Sequence, residues 1–241
     1  MTTLLWSALV LGFILGLRHA LDPDHVVAVT TIVSTEPDWK RSSLIGSFWG
    51  LGHATSLLTL GGLIVALRIN VTELAASRME IIVSVMLVGL GVYAMRSARD
   101  GFRLHAHKHT HDDAAAGAPK EHIHLHVHEG HAQPVHQHAH PLRFGLRPYA
   151  IGLVHGVAGS GGLALLVMAT AKTAAAGLLY MAALAFGALV GMGILSGLLT
   201  LPLSALRARY ATLHLRFQLL SGAGSVAFGL WLFGEHLSEF L

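Results

Sequence analysis

The amino-acid sequence predicts an all-α polytopic membrane protein with about six transmembrane helices, arranged as two inverted three-helix repeats with broken or kinked first helices. Three observations support this prediction: the composition, the length of the apolar segments and an internal repeat. Of the 241 residues, 53% are hydrophobic and only 12% are charged, and the mean hydropathy is +0.59. Soluble domains have about twice that share of charged residues, so the chain belongs in a membrane.

Six apolar segments run along the chain, each near or above the ~20 residues that one helix needs to cross the hydrocarbon core. A polar insert between the third and fourth segments has no apolar periodicity, and we expect it to be a flexible loop. The chain therefore divides into a first transmembrane repeat at 1–98, a His-rich loop at 99–144 and a second transmembrane repeat at 145–241. The segments are Leu4–Ser34, Leu44–Leu67, Met79–Met95, Tyr149–Ala171, Gly177–Leu203 and Leu213–Phe233.

The two halves of the chain share three short matches that occur in the same order. Because each half has three segments, an odd number, two such copies must cross the membrane in opposite directions. Inverted repeats of this kind are typical of secondary transporters, which bind substrate near the membrane midplane. The alternative is chance similarity among Gly- and Leu-rich helices. The matches pair Gly16–Leu21 with Gly152–Val157, Gly50–Leu60 with Gly191–Leu201, and Gly91–Tyr93 with Gly229–Trp231.

The lysines and arginines predict how the chain is oriented. With six spans, twelve of them fall on the side that holds the insert, three fall on the other side, and Arg18 lies within the first span. Cytoplasmic loops carry the excess of positive charge, so both termini are expected outside and the His-rich loop in the cytoplasm. The expected location is the bacterial inner membrane.

Several classes of protein are disfavoured by what the sequence lacks. With no cysteine, the chain has no disulfide, thiolate metal site or thiol relay. It has no phosphate-binding G-x4-G-K-[ST] loop, which argues against ATP hydrolysis by this chain. Its net charge of +3 is spread over helix ends, which does not suggest a nucleic-acid partner. An intramembrane metallohydrolase remains an alternative, although H-E-x-x-H and a general-base Glu beside the histidines are missing.

A cluster of ionisable residues lies inside the first apolar segment. The stretch Arg18–His25 holds five of them in eight positions, and each Arg or Asp costs at least ~2.5 kcal/mol at the centre of a membrane helix. On a regular helix His19, Asp22 and His25 share one side and Asp24 points away. Pro23 lacks an N–H, so we expect a kink that could turn Asp24 inward. Imidazoles with carboxylates suit Ni, Co or Zn. The alternative is that these residues only pair with one another and lock the helices together.

Two further histidines lie well inside apolar segments, in the second and in the fourth. His53 follows Gly50 and Gly52, which allow close helix approach, and we interpret it as a ligand or a partner of one. His155 occupies the position of His19 in the second half and precedes a Gly-rich stretch, which predicts a second helix break. It has no acidic residue beside it, so a role in the metal path and a structural hydrogen bond are both open.

The insert contains twelve of the 18 histidines, many at every second position. Alternating imidazoles in a flexible chain predict several labile, weakly selective metal sites, whose affinity falls as the imidazoles are protonated below about pH 6.5. The alternative is a hydrophilic or pH-responsive linker. The predicted loop ligands are His105, His107, His109, His111, His122, His124, His126, His128, His131, His136, His138 and His140.

The residues from Arg18 to His25 resemble the signature of the NiCoT nickel/cobalt transporter family, H-x4-D-H within R-H-A-x-D-A-D-H, with Pro23 in place of an Ala. Phe48–Thr55 is similar to that family's F-S-L-G-H-S-T motif, with His53 in place. The fourth segment resembles instead the shorter UreH-like branch, and six spans are fewer than the usual eight. The resemblance implies that five residues select and pass the metal: His19, Asp22, Asp24, His25 and His53.

The sequence therefore predicts a secondary transporter, a permease for divalent nickel and/or cobalt, and no enzyme. Its expected partners are the metal ion, which is a substrate and not a cofactor, the lipid bilayer, and a cytosolic metallochaperone. The oligomeric state is left open. Uptake is favoured over efflux, and a membrane metal-binding or sensing protein that transports nothing is a further alternative.

Overall fold

The structure, a computed structural model, describes residues 2–36, 38–69, 71–100, 104–111, 120–127, 141–170 and 173–237. This part of the chain is helical except for one hairpin of two strands. The helices are α1 (Thr2–His19), α2 (Pro23–Val33), α3 (Trp39–Ser56), α4 (Gly62–Leu67), α5 (Glu73–Asp100), α6 (Pro141–Thr170), α7 (Ala174–Arg209) and α8 (Ala211–Leu237), with a π-helical segment (Leu57–Gly61) between α3 and α4. The strands are β1 (Leu104–His111) and β2 (Lys120–Val127).

Among the described residues, four helical segments are long and apolar enough to cross a membrane. Large apolar side chains cover much of the outer surface; Leu220 is 71% exposed and Trp6 is 68% exposed. Such a surface is stable in lipid and unfavourable in water. The prediction of a helical membrane protein is thus confirmed. The four segments are Trp39–Leu67, Glu73–Arg99, Ala174–Leu206 and Thr212–Leu237.

The first predicted segment is divided into α1 and α2, two shorter apolar helices separated by Ala20–Asp22. The second break expected from the Gly-rich stretch is wrong, because α6 continues without interruption from Pro141 to Thr170. Glycine lowers helix propensity by only about 1 kcal/mol and keeps its N–H, so a glycine run need not end a helix that packs against neighbours. Pro148 lies inside the first half of α6 without ending it.

Four helix pairs form the body of the fold. Helix α5 packs along α8, α3 packs against both α6 and α7, and α1 packs against α7. Serine hydroxyls donate across several of these interfaces: Ser56 Oγ to the Leu153 carbonyl at 2.7 Å and Ser225 Oγ to the Leu87 carbonyl at 2.8 Å. Small residues and such hydrogen bonds are what hold helices together where the surroundings are as apolar as the side chains.

The contacts of the two halves mirror one another. In each half, the middle segment has a glycine that packs against the first segment of the other half. The glycine contacts two backbone groups of that segment, one helical turn apart. A methyl group at either glycine would collide with that backbone, so both helix pairs depend on a missing Cβ. The groups are the Tyr149 carbonyl and Leu153 amide at Gly52, and the Phe13 carbonyl and Leu17 amide at Gly187.

These contacts differ from the sequence match in one respect. Tyr149 and Leu153 follow Phe13 and Leu17 by 136 positions each, as in the match of the first segments. In the middle segments, Gly187 has the contacts that correspond to those of Gly52. The sequence match instead pairs Gly50 and Gly52 with Gly191 and Gly193. Glycines recur along these helices two or four positions apart, in 46–52 and in 187–197, and which of them lies at a crossing depends on helix packing.

The described parts of the insert form an antiparallel hairpin of β1 and β2, with Leu104 opposite Val127 and His111 opposite Lys120. The sequence predicts a flexible loop here. Histidine at every second position follows the two-residue period of a strand, which explains why an extended pairing suits this sequence. The expected flexibility of the loop, and the expected domain boundaries at 98 and 144, stay predictions.

Candidate metal centre

The break between α1 and α2 determines where the first-segment residues lie. Pro23 has no N–H to bond the His19 carbonyl, and that carbonyl accepts from the Asp22 amide at 3.0 Å instead. Asp22, with φ −61° and ψ 147°, precedes α2, and Pro23 is its first residue. This position suits Pro, whose N–H is not needed there. The result is a break sharper than the expected kink, and it turns Asp24 toward the other site residues.

His19 joins the first segment to the second. Its Nδ1 lies 2.6 Å from Asp22 Oδ2, and because a carboxylate only accepts, the imidazole donates through Nδ1. The other ring nitrogen, Nε2, is then the acceptor, and it lies 3.2 Å from His53 Nε2 of α3. In the neutral rings His53 therefore donates to His19. Two nitrogens at this distance can also share one metal ion, since donors at about 2.0–2.1 Å from an ion lie roughly 3 Å apart when adjacent.

Asp24 joins the first segment to the fourth. His25 Nδ1 donates to Oδ1 at 3.0 Å, and His155 Nε2 donates to Oδ2 at 2.8 Å, so both carboxylate oxygens are used. The remaining nitrogens, His25 Nε2 and His155 Nδ1, are buried and have no hydrogen-bond partner among the described residues. Each presents a lone pair inside the protein, which is how an imidazole oriented by a carboxylate binds a metal.

The four imidazoles form one cluster around His25. The His25 ring centre lies 4.1 Å from that of His155, 4.6 Å from that of His19 and 5.0 Å from that of His53. His25, His53 and His155 are at most 1% exposed, whereas the Asp22 side chain is 48% exposed. The cluster is therefore closed on the side of α3 and α6 and accessible at the α1–α2 break.

Trp49 packs against the histidine cluster and was not predicted from the sequence. Its ring is buried, 5.6 Å from the His25 ring and 5.3 Å from the His155 ring. It lies one helical turn before His53, on the same face of α3, and that spacing was the available signal. The indole forms an apolar wall that keeps the two imidazoles beside Asp24.

Glycines set the separation of α3 and α6 at this cluster. A Cβ on Gly152 would collide with the Trp49 carbonyl and lie 3.0 Å from the His53 amide. A Cβ on Gly156 would lie 2.6 Å from the His53 carbonyl. Backbone approaches this close bring His53 and His155 to the same point from different helices, which a larger residue at 152 or 156 would prevent.

Two overlapping groups of three residues can hold a metal ion. Their ligand atoms lie within 4.8 Å of one another, and a single ion with bonds of about 2.1 Å spans at most about 4.2 Å, so binding requires only a small closure. All donors are nitrogen or oxygen, the set that borderline divalent ions such as Ni²⁺, Co²⁺ and Zn²⁺ favour. The groups are His19, His25 and His53, and Asp24, His25 and His155.

The hairpin aligns part of the insert's histidines in cross-strand pairs. His105 lies opposite His126, His107 opposite His124, and His109 opposite His122 in the strand register. His111 lies opposite Lys120. The other predicted loop ligands lie outside the described residues: His128, His131, His136, His138 and His140.

Comparisons with known proteins agree with this chemistry. The family model for NicO, the high-affinity nickel-transport protein, matches residues 5–217. The urease accessory protein UreH of Bacillus sp. (strain TB-90) is 35% identical over 232 residues, covering 94% of this chain and 90% of that protein. A protein of Methanocaldococcus jannaschii named as a nickel/cobalt efflux system is 31% identical over 90 residues, 36% of this chain and 42% of its own length. No solved structure matches the chain. The chain belongs to the NicO family of nickel-transport membrane proteins.

Proposed function

We propose that this chain is a secondary transporter, a permease that moves divalent nickel and/or cobalt across the membrane, and that it is not an enzyme. The observation that carries the proposal is the buried cluster at the α1–α2 break, where one carboxylate orients two imidazoles and leaves their other nitrogens unpaired. Intramembrane ionisable groups are costly and mark ion pathways. The metal is the substrate, and no cofactor is proposed.

We propose six spans in two inverted repeats as the architecture of the transporter. The broken pair α1–α2 and the continuous α6 act as equivalent first spans, α3 with α4 corresponds to α7, and α5 corresponds to α8. The mirrored contacts of Gly52 and Gly187 support this assignment, because a twofold axis in the membrane plane relates such contacts pairwise. The cluster then lies near the midplane, since His53 and His155 are each close to the middle of their helical segments.

The main metal-binding site in this proposal is formed by His19, His25 and His53. Asp22 and Asp24 accept the Nδ1 protons of His19 and His25, which fixes each ring with its Nε2 lone pair available. An incoming ion replaces the hydrogen bond between His53 and His19, and His53 then carries its proton on Nδ1. Three neutral imidazoles beside two carboxylates balance the charge of a divalent ion in a low-dielectric site.

His155 and Asp24 form a second position that shares His25 with the first. A metal that moves from the three imidazoles toward this position exchanges one ligand at a time, because His25 can contact the ion throughout. Two overlapping weak positions favour passage over retention, as conduction needs binding that is strong enough for entry and weak enough for release.

Uptake is the proposed direction. An inside-negative potential supplies about 2.3 kcal/mol per charge per 100 mV, or about 4.6 kcal/mol for a divalent ion, which corresponds to roughly a thousandfold accumulation. We place both termini outside and the His-rich loop in the cytoplasm of a bacterial inner membrane, as the lysines and arginines indicate. Efflux is the alternative, favoured by the name of the Methanocaldococcus relative, and it requires coupling to another ion.

In the uptake direction the His-rich loop receives the metal. The three cross-strand histidine pairs are proposed as labile sites that hold the ion briefly and deliver it to a cytosolic metallochaperone. The remaining loop histidines are proposed to add further weak sites of the same kind.

The experiment that tests this function measures the nickel and cobalt content of cells at low external metal. The cells express the wild type, His25→Ala, or Asp38→Asn as a control on the exposed start of α3. Higher content with the wild type and the control, lost in His25→Ala, supports uptake through the cluster. Lower content that returns to baseline in His25→Ala supports efflux. Equal content in all cells, at equal expression, contradicts the transport of these metals.

A further inference from the structure

A cavity of about 530 Å³ lies between α2, α3, α5 and α6, separate from the histidine cluster. Its polar lining comes from Thr31, Thr35 and Glu36 at the end of α2, Tyr93 of α5, and Arg147 of α6. At ~30 Å³ per water molecule, this volume holds more than a dozen waters. It is therefore large enough for a divalent ion with its first shell of water.

The cavity lies directly beyond the histidine cluster along three helices. Thr31 follows His25 by six residues, or about 9 Å of helix, and Ile151 precedes His155 by four residues, or about 6 Å. Ile45 of α3, which also lines the cavity, precedes His53 by eight residues, or about 12 Å. All three helices that carry the buried imidazoles thus continue from the cluster into the cavity wall.

The cavity lies on the side of the molecule that carries the insert. Tyr93 lies in the last two turns of α5, which leads into the insert, and Arg147 lies in the second turn of α6, which follows it. The Arg147 guanidinium lies 5.3 Å from the centre of the Tyr93 ring, a cation–π distance. Glu36, just past the end of α2, supplies the carboxylate of this region.

Part of the lining suits a hydrated cation. The Thr35 hydroxyl donates to the Ile32 carbonyl at 2.8 Å. The Thr31 hydroxyl donates to the Val27 carbonyl at 2.8 Å, and its oxygen also lies 3.3 Å from the Ser221 hydroxyl of α8. With its proton used within the chain, the Thr35 oxygen offers lone pairs to other donors, such as water bound to a metal. Glu36 adds a negative charge that raises the local concentration of divalent ions.

We propose that this cavity is the vestibule through which the hydrated metal passes between the histidine cluster and the insert side, with Glu36 as its capture carboxylate. The proposal rests on the transport function proposed above. Nickel or cobalt keeps its water in the vestibule and exchanges it for imidazole only at the cluster. Arg147, held over Tyr93 in the same lining, partly offsets the negative charge of Glu36.

Gly89 of α5 offers a sharp test, because it lines the cavity and a Cβ there would meet no atom within 4 Å. Gly89→Phe should fill the vestibule without disturbing helix packing. Gly224→Phe on α8 is the matched control, since Gly224 is also an exposed helical glycine with open space at its Cβ. We expect Gly89→Phe to lose metal flux while the purified protein still binds the metal at the cluster, and Gly224→Phe to keep both.

Equal flux in Gly89→Phe and the wild type would overturn the vestibule and leave the transport function standing. If the wild type moves no nickel or cobalt, the transport function fails, and a second measurement decides about the vestibule. The natural chain has no cysteine, so Thr35→Cys is a unique thiol. Rapid reaction with a membrane-impermeant, water-soluble thiol reagent added on the insert side, slowed in Thr35→Cys/Gly89→Phe, supports an aqueous vestibule. A thiol that reacts no faster than one at lipid-exposed Ile82, in Ile82→Cys, refutes it.

Discussion

Replacing Asp24 with Asn changes the protonation of the cluster with almost no change in shape. Asp24 accepts one hydrogen bond from His25 and one from His155. The carboxamide of Asn accepts with its oxygen only, and its nitrogen presents N–H groups to the other imidazole. The imidazole that faces the amide nitrogen must then rotate, or carry its proton on its other ring nitrogen. That other nitrogen loses the lone pair with which it would bind a metal.

The expected loss follows from this change of ligand. Removing the carboxylate that orients a metal-binding imidazole lowers metal affinity about 10–100-fold, which corresponds to about 1.4–2.7 kcal/mol. The lost negative charge acts in the same direction. We therefore expect the KM for Ni²⁺ or Co²⁺ to rise by at least about tenfold in proteoliposomes made with Asp24→Asn, with reduced maximal flux.

Asp38→Asn is the control for this experiment. Asp38 is exposed and its carboxylate accepts from the Lys40 amide at 2.9 Å at the start of α3, a capping role that Asn fulfils equally well. This variant should transport like the wild type. An Asp24→Asn protein with unchanged KM and unchanged maximal flux would refute the role of the carboxylate and with it the assignment of the two imidazoles.

Substitutions at a tightly packed glycine and at the buried indole, and deletion of the insert, should each change one measurable property. Gly152→Ala should abolish metal flux, because the added methyl group pushes α3 away from α6 at the cluster. Gly224→Ala, with open space at its Cβ, should keep the flux. Uptake of radioactive metal measures both. Trp49→Ala should lower the thermal unfolding temperature in detergent through a lost buried ring worth about 3–5 kcal/mol, and Trp49→Phe should recover most of the loss. Deleting residues 105–140 should retain metal flux but remove the weakly bound metal. In the intact chain, the weakly bound metal should be released as pH falls below about 6.5, because protonated imidazoles cannot bind it. Loss of all function on this deletion would favour a sensor over a transporter.

The sequence was sufficient to predict that the polar residues of the first segment lie together. Five ionisable residues in an apolar run are too costly to be scattered in lipid, and Pro23 indicates where the helix is interrupted. His53 could be included because glycines beside it allow α3 to approach its neighbours. These residues come from local patterns, which is the kind of information that a single sequence contains.

Other features depend on packing between helices that are distant in sequence. The partnership of His155 with Asp24 spans 131 positions and could not be inferred, so His155 remained ambiguous until the fold placed it. Trp49 resembled an ordinary apolar helix residue. The Gly-rich stretch of α6 predicts a helix break, yet α6 continues through it, since a weak local propensity alone does not end a helix.

The register of the proposed repeat shows the same limit. Several glycines of the middle segments fit a sequence match equally well, and only the helix crossing identifies Gly187 as the residue with the contacts of Gly52. A shift of this size does not alter the topology, but it changes which residues of the second half face the cluster. His53 has no histidine at the position that this register makes equivalent, Ala188, so the two halves contribute unequally to the site.

A metal-bound structure, with Co²⁺ located by its anomalous scattering, would show whether the histidine cluster binds the transported ion. We expect a cobalt peak inside the membrane region, within bonding distance of the Nε2 atoms of His19, His25 and His53, and absent from crystals of His25→Ala. A wild-type structure in which cobalt occupies only the insert, while His53 still donates to His19, would contradict this expectation.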